Sequence, residues 1–288
     1  MLSDLPPLGE TVRRHGLRAD KSLGQHFLLD PSITDRIASL CDLGGDTPTT
    51  VLEVGPGPGG LTRSLIAAGA ERVVAVEMDP RFLPALEEIA EATDRLDIVQ
   101  GDALKTDLRD HLPPLSLGGH IVASNLPYNV GTKLLLNWLT EVPRRWHQLV
   151  LMFQLEVAER VVAAPDTPAY GRLAVLSQSV ASAHIAFRVP AGAFSPPPKV
   201  DSAVVVLRPL DGPYPDLANL ENVTRAAFGQ RRKMLRAALK GLAKSAGVKA
   251  ESWLEAAGID PTARAETVPV EGFHRLTDTW TQILSGNR

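Results

Sequence analysis

The stretch TVLEVGPGPGGLTRSLIAAGA, residues 50–70, reads as a strand, a glycine corner and a helix in immediate succession. Its first five residues are β-branched or apolar apart from one glutamate, with no polar alternation, which suits a strand covered on both faces. The same alternation continues outward. RVVAVE (72–77), LDIVQ (96–100), HIVAS (120–124) and QLVLMFQ (148–154) read as further strands, and RFLPALEEIAEA and GTKLLLNWLTE as helices between them. Strand and helix alternating at this spacing predict an α/β fold with a parallel, doubly wound sheet. Two later runs, AHIAFRV and SAVVVLRPL, are expected to add a hairpin at one edge. Residues 1 to about 48 read as an arm and one helix, opened by Asp30 as N-cap and Pro31 at the first helical position.

RPLDGPYPDL (208–217) interrupts the pattern with three prolines and a glycine. Beyond it the strand signal stops, and ENVTRAAFGQRRKMLRAALKGLAKS (221–245), ESWLEAAG and VEGFHRLTDTWTQIL read as helical. A domain boundary is therefore expected near 210, with residues 1–210 forming the sheet domain and 211–288 a small helical one.

The chain has 288 residues, 44% of them hydrophobic and 22% charged, ordinary values for a globular protein. No apolar run approaches the roughly 18 residues of a membrane span. The start, MLSDLPPLGE, has neither a basic nor an apolar leader region, so a soluble, cytoplasmic protein is expected. The single Cys41 can form no internal disulfide, and no Cys/His cluster has metal-ligand spacing, so no metal is expected. Cys41 reads as a small core residue, which argues against pyrimidine C5 chemistry with its thiolate nucleophile. Net charge is −3, which excludes a uniformly basic nucleic-acid binder. The bases are concentrated: between Glu221 and Ala250 there are eight against one acid.

Gly55, Gly57 and Gly60 satisfy the G-x-G-x-x-G spacing, and Glu77 follows Gly55 by 22 residues. That pattern permits a dinucleotide site with the acid on a ribose. Two prolines oppose it. Phosphate sites at helix N-termini depend on backbone N–H groups, and Pro56 and Pro58 remove two of them. A ligand without phosphates, such as S-adenosylmethionine, fits the loop better; a tight turn without ligand is the plain alternative. Gly55, Glu77, Asp102 and Asn125 are 22, 25 and 23 residues apart, each at the carboxyl end of a predicted strand. In a doubly wound sheet those ends converge on one crevice. There Glu77 can accept from ribose hydroxyls and Asp102 from an adenine amine.

SNLPYN (124–129) ends the fourth strand. The Asn125 carboxamide and the Leu126 carbonyl supply two acceptors, Pro127 holds the turn open and Tyr128 adds a flat face. Together they describe a clamp for a planar exocyclic amine. Two acceptors favour a pyramidal nitrogen, whose lone pair can then meet an activated methyl group. Positioning and electrostatics would supply the catalysis. A strand-end turn with a buried tyrosine is the competing reading. In the basic stretch, Arg232, Arg236 and Lys240 at i, i+4 and i+8 are expected on one helix face. With Arg231 and Lys233 they form a candidate RNA-phosphate surface. A merely solvated charged face is the alternative.

In order, KSLGQHFLLD, LEVGPGPGGLT, VEMDPRF, GDAL, NLPYNVGTKLL, EVAERVVAAP, AYGRLAV, FSPPPKVDSAVV, FGQRRKMLR and GIDPTARAETV resemble the ribosomal RNA adenine dimethyltransferase family, from Lys21 to about Leu276. The resemblance implies a Rossmann-like class I S-adenosylmethionine-dependent methyltransferase sheet with a small all-helical C-terminal domain. It implies S-adenosylmethionine as donor, S-adenosylhomocysteine as product and no metal. The implied substrate is two adjacent adenosines in the 3′-terminal hairpin of small-subunit 16S rRNA, dimethylated at N6 within an immature 30S subunit by a monomeric enzyme. Carried over by motif, cofactor contacts fall on His26, Leu28, Gly55, Gly57, Glu77, Asp102 and Asn125. The target base falls on Asn125, Leu126, Pro127 and Tyr128, with Phe194 on its other face. One departure stands out: the family reads G-Q-N-F where this chain has Gly24-Gln25-His26-Phe27. A histidine can replace one asparagine hydrogen bond but brings ring bulk and titrates near neutral pH, so ligand contact and structural residue both stand for His26. Other readings compatible with the clamp are a methyltransferase for large-subunit rRNA or DNA adenines and a non-catalytic ribosome assembly factor. An NAD-dependent oxidoreductase is opposed by the loop prolines.

Overall fold

The computed structural model describes residues 2–20, 24–44, 49–114 and 119–286. The chain divides into two compact units, Met1–Ala158 with His184–Arg208, and Glu159–Ala183 with Pro209–Arg288. It therefore crosses between units three times, whereas the sequence suggests one boundary near 210. Among the described residues no helix is long and apolar enough to cross a membrane.

The first unit begins with α1 (Leu8–Arg14), β1 (Phe27–Leu28) and α2 (Pro31–Ala38). β2 (Thr50–Val54), α3 (Gly60–Ala67), β3 (Arg72–Glu77), α4 (Leu83–Ala92) and β4 (Leu96–Gln100) follow. Then come β5 (His120–Asn125), α5 (Gly131–Thr140) and β6 (Trp146–Gln154); next in the chain, α6 (Leu155–Val162) runs into the second unit, to which α7 (Arg172–Val180) belongs. β7 (Ala181–Val189), β8 (Phe194–Ser195) and β9 (Ser202–Pro209) complete the strands. The large sheet has the order β4-β3-β2-β5-β6-β9-β7. Its first five strands are parallel, and β9 runs antiparallel to β6. The expected parallel strands all form, and the two late runs lie together at one edge. Their continuous apolar runs reflect burial: β2 is buried at every position, and Leu149–Met152 of β6 are fully enclosed. Asp30 caps α2 as expected, its carboxylate accepting from the Ser32 N–H at 2.9 Å.

α1 forms where the sequence suggests only an arm. It is tied down by Arg63 of α3, which donates to the Pro6 carbonyl at 2.6 Å and to the Thr11 hydroxyl at 3.2 Å. Glu88 of α4 receives Arg14 and, at 2.7 Å, His15. Cys41 is buried in the core, and that burial pushes its thiol up to about 12.

Strand order reverses between β2 and β5, where chain order and spatial order part company. Pairing of β2 with β5 ends at Leu52 and Val122, three residues before β5 itself ends. Past that point Ser124 Oγ still donates to the Val54 carbonyl at 2.5 Å. The opening above it is the switch-point crevice of an open α/β sheet.

The second unit adds α8 (Leu217–Gly229), α9 (Leu235–Ala238), α10 (Lys240–Ser245), α11 (Ala250–Ala256) and α12 (Val270–Gly286). The Phe228 ring lies between those of Tyr170 and Phe273, and Trp253 packs on Trp280 with centroids 4.6 Å apart. Here the structure corrects the expectation of one helix across the basic stretch: residues 221–245 fold as parts of three helices. Met234 forms an antiparallel bridge with Arg264. The N–H groups of Leu235 and Arg236 donate to the carbonyls of Ala263 and Pro261 at 2.8 and 3.2 Å. A continuous helix would need those donors for its own i−4 carbonyls. Arg232, Arg236 and Lys240 consequently occupy a turn and two short helices rather than one helical face.

Candidate active site at the carboxyl ends of the strands

His26, Leu28, Gly55, Gly57, Glu77, Asp102 and the corner Asn125–Tyr128 all line one cavity above β2, β3, β4 and β5. The glycine loop lets its walls approach. Gly55 has φ +69, and a Cβ there would stand 3.3 Å from Pro127 Cγ, so the loop lies directly on the Asn-Leu-Pro-Tyr corner. Gly59, at φ +86, is the N-cap of α3, and a Cβ there would fall 2.3 Å from Ile89 Cδ1 of α4.

The donors of this loop are already committed. Gly55 N–H donates to the Val76 carbonyl at 2.9 Å, Gly57 N–H to Glu77 Oε2 at 3.1 Å and Gly59 N–H to the Pro56 carbonyl at 3.0 Å. Pro56 and Pro58 have no N–H to offer. No backbone donor from 55 to 59 is left for a phosphate, which removes the physical basis of a pyrophosphate site.

Glu77 is 5% exposed, and its two oxygens accept from Gly57 N–H and, at 2.8 Å, from Asp79 N–H. Burial raises its pKa, partly offset by those bonds. The carboxylate is thus fixed in orientation and keeps two lone pairs for the cavity. Asp102 caps its own turn, accepting from Leu104 N–H at 3.0 Å, with Lys105 Nζ at 3.4 Å. Asn125 Nδ2 donates to the His26 carbonyl at 3.5 Å; since a carbonyl can only accept, this leaves Asn125 Oδ1 as an acceptor for the cavity. Tyr128 Oη pairs with Ser202 Oγ at 2.6 Å, which anchors its ring.

β1 pairs antiparallel with β8, Leu28 opposite Phe194, and so brings His26 beside the corner. The His26 ring is 5.5 Å from that of Tyr128, and its Nδ1 donates to the Pro196 carbonyl at 2.8 Å. Phe194, given the other face of the target base by resemblance, lies behind His26. Its ring is 4% exposed, packs in the core and meets His26 edge-on at 6.5 Å. It is not among the cavity-lining residues; the aromatic ring that lines the cavity from that side is His26.

Glu53, Asp79 and Gln25 also line the cavity and were not singled out by sequence. Asp79 is held by Arg81 and by Gln25 Nε2 at 3.0 Å, and the Arg81 bonds lower its pKa to about 2. Glu53 points inward from β2, 2% exposed, and accepts from Thr62 Oγ1 at 2.6 Å. Burial, reinforced by the nearby Glu77, pushes its carboxyl up to about 8. A polar residue within the otherwise apolar run TVLEV is the sequence signal that marks it. Four carboxyl groups therefore face the cavity, and among the described lining residues there is no lysine or arginine.

The basic residues lie in the second unit and differ in their engagement. Arg231 is an internal tie: its Nε donates to Glu266 at 2.9 Å and its Nη2 to the Pro168 carbonyl at 2.7 Å. Arg232, Lys233, Arg236 and Lys240 are exposed. Arg264, exposed and outside the basic run, joins this segment through its bridge to Met234.

The profile of the ribosomal RNA adenine dimethylase family matches residues 16–282. The chain is 54% identical to the ribosomal RNA small subunit methyltransferase A of Xanthobacter autotrophicus, covering 99% of this chain and 97% of that protein. It is 55% identical to the protein of the same name from Ruegeria sp., covering 96% of each. Among solved structures, a dimethyladenosine transferase from Plasmodium falciparum shares the fold, with TM-score 0.72, 24% identity and 90% and 98% coverage of this chain and that one. The 23S rRNA methyltransferase ErmE aligns with TM-score 0.64 and 28% identity, covering 89% of this chain and 100% of its own. With an acidic switch-point cavity, an Asn-Leu-Pro-Tyr corner on its wall and relatives of this identity over nearly the full length, the chain belongs to the ribosomal RNA adenine dimethylase family.

Proposed function

We propose that this protein uses S-adenosylmethionine to dimethylate the N6 amines of two adjacent adenosines in the 3′-terminal hairpin of small-subunit 16S rRNA, during maturation of the 30S subunit in the cytoplasm. The observation that carries the cofactor reading is the charge of the cavity. Among the described lining residues there are four carboxyl groups, no lysine and no arginine, a lining that suits a cationic ligand better than a polyanionic dinucleotide. The cofactor, when bound, supplies an electrophilic methyl on a sulfonium. Glu77 receives the ribose hydroxyls on its free lone pairs, and Asp102 the adenine amine. Transfer of that methyl leaves its bonding electron pair on sulfur as S-adenosylhomocysteine, a step that calls for no metal.

At the acceptor end, Asn125 Oδ1 and the Leu126 carbonyl receive the two hydrogens of the target amine. This holds the nitrogen pyramidal and frees its lone pair, which is conjugated into the ring in solution. Tyr128, braced by Ser202, offers its face to the base. The role proposed for Phe194 is indirect: it backs the His26 ring against the corner. The methylated amine loses its proton to water, so no strong base is called for. Charged contacts from Arg232, Lys233, Arg236 and Lys240, with Arg264, hold RNA phosphates, while Arg231 keeps the segment in shape. The relatives above 50% identity carry the small-subunit name, which supports that substrate over the 23S rRNA of the more distant ErmE.

The test supplies labelled methyl donor and immature small ribosomal subunits and maps the label after RNA digestion. Two neighbouring N6-dimethyladenosines near the 3′ end are expected. Label only on large-subunit rRNA, or none on any subunit, overturns the proposal. Asn125→Ala should lower transfer by about 10²–10³-fold while donor binding stays measurable by calorimetry.

A further inference from the structure

Glu53 has no assigned part in the cofactor contacts above, yet it is the most enclosed acid of the cavity. Its Oε2 accepts from the Thr62 hydroxyl at 2.6 Å, which leaves the other oxygen to the cavity it lines. The charged and titratable groups that line the same cavity are acidic, apart from His26. β3 contributes Glu77, with Asp79 just beyond it; the turn after β4 contributes Asp102; the segment before β1 contributes His26. α3 offers Thr62, while its Arg63 is engaged with Pro6 and Thr11, and Asp35 of α2 takes the Ser64 hydroxyl at 2.7 Å. Among the described residues, Lys105 in the turn after β4 lies on Asp102 and Arg81 beyond β3 lies on Asp79, and no cation pairs with Glu53 itself. An unpaired buried carboxylate is costly, and the group avoids that cost by holding a proton.

We propose that Glu53 is a proton-exchanging charge selector: it is a neutral carboxylic acid in the ligand-free cavity, and it ionises when a cationic ligand enters. In that step the O–H bond of the Glu53 carboxyl breaks, its electron pair stays on the carboxylate, and the proton passes to solvent. This inference rests on the methyl-donor reading and deepens it. S-adenosylmethionine brings two cationic groups, a sulfonium and an ammonium, into a pocket whose described lining residues include no lysine or arginine. Ligand and proton then compete for the same carboxyl, so each weakens the other by the same factor. Donor affinity should accordingly rise about tenfold per pH unit below the Glu53 midpoint and level off above it. A carboxyl with a midpoint of about 8 is mostly protonated at pH 7, which places this linkage in the physiological range.

The experiment is titration calorimetry of the full chain at pH 7 in phosphate and in Tris, whose ionisation heats differ widely. The buffer dependence of the binding heat counts the protons released. With S-adenosylmethionine, close to one proton is expected for the wild type. With 5′-methylthioadenosine, which shares the nucleoside but carries no positive charge, none is expected. Glu53→Gln, isosteric and still able to accept from Thr62, should bind the donor without releasing that proton, and its affinity should lose its rise between pH 7 and 8. Equal release by wild type and Glu53→Gln assigns the proton to another group, such as Glu77 or His26, and overturns the proposal. Equal release with charged and neutral ligand, a comparison made on the wild type alone, overturns it as well. Donor binding without any proton release refutes the proposal but leaves the methyl-donor reading standing; no donor binding at all refutes both.

Discussion

His120 opens β5 with its imidazole 2% exposed, and its Nδ1 has no hydrogen-bond partner. Burial, with the positive neighbours His147 and Arg145, lowers its pKa to about 4. The sign follows from the direction: the unfolded chain takes up the proton first as pH falls. Stability from the neutral ring is whole above pH 6.5 and is lost as pH falls toward 4, by up to about 3 kcal/mol. His120→Gln should flatten that part of the curve, read as the difference in denaturant midpoint between variant and wild type from pH 7 to 4.5. His120 was legible only as the first residue of a strand. Its burial comes from the strands that flank it, which lie elsewhere in the chain. Asn125 and Glu77 were legible as site residues because a strand end at a switch point is functional ground for reasons of topology. Glu53, inside the strand that announces the fold, is marked locally only as a polar residue in an apolar run, and nothing local shows which face of a strand meets a cavity.

At the scale of elements, the β2–α3 corner depends on glycine for two separate reasons. Gly59 combines a left-handed backbone with contact against Ile89 and Leu86 of α4. Gly59→Ala should destabilise the first unit by about 2 kcal/mol, measured by chemical denaturation, as backbone strain and displaced core side chains add. The strand and helix assignments of this unit were readable because their periodicity is produced by burial on fixed faces. The basic stretch reads as one helix because its residues have good helix propensity. The backbone donors of Leu235 and Arg236 find partners in Pro261 and Ala263 instead, and that tertiary pairing outweighs propensity.

At the scale of the whole molecule, the bases of the second unit divide into those that shape it and those left for a partner. Arg236→Ala should weaken RNA binding and reduce the slope of log affinity against log salt by about one, with thermal stability unchanged. Arg231→Ala should instead lower the melting temperature, since it unties Glu266 and the Pro168 carbonyl. Filter-binding titrations across 50–200 mM salt, paired with thermal melts, separate the two roles. A loss of salt slope for Arg231→Ala without loss of stability would reverse these assignments.

By itself the sequence determined the parallel sheet, the placement of Gly55, Glu77, Asp102 and Asn125 at strand ends, and the unsuitability of the loop for phosphate. These follow from short-range periodicity, from the absence of an N–H on proline and from the rule that such strand ends converge. Tertiary structure alone decided which carboxyl groups share the cavity, that the His26 ring lines it, and that Arg264 joins the exposed bases while Arg231 is engaged by Glu266 and the Pro168 carbonyl. Those outcomes depend on pairing between residues far apart in the chain, β1 with β8 and Met234 with Arg264. Such pairings are set by the balance of burial and hydrogen bonding over the folded unit and leave no local mark in the sequence.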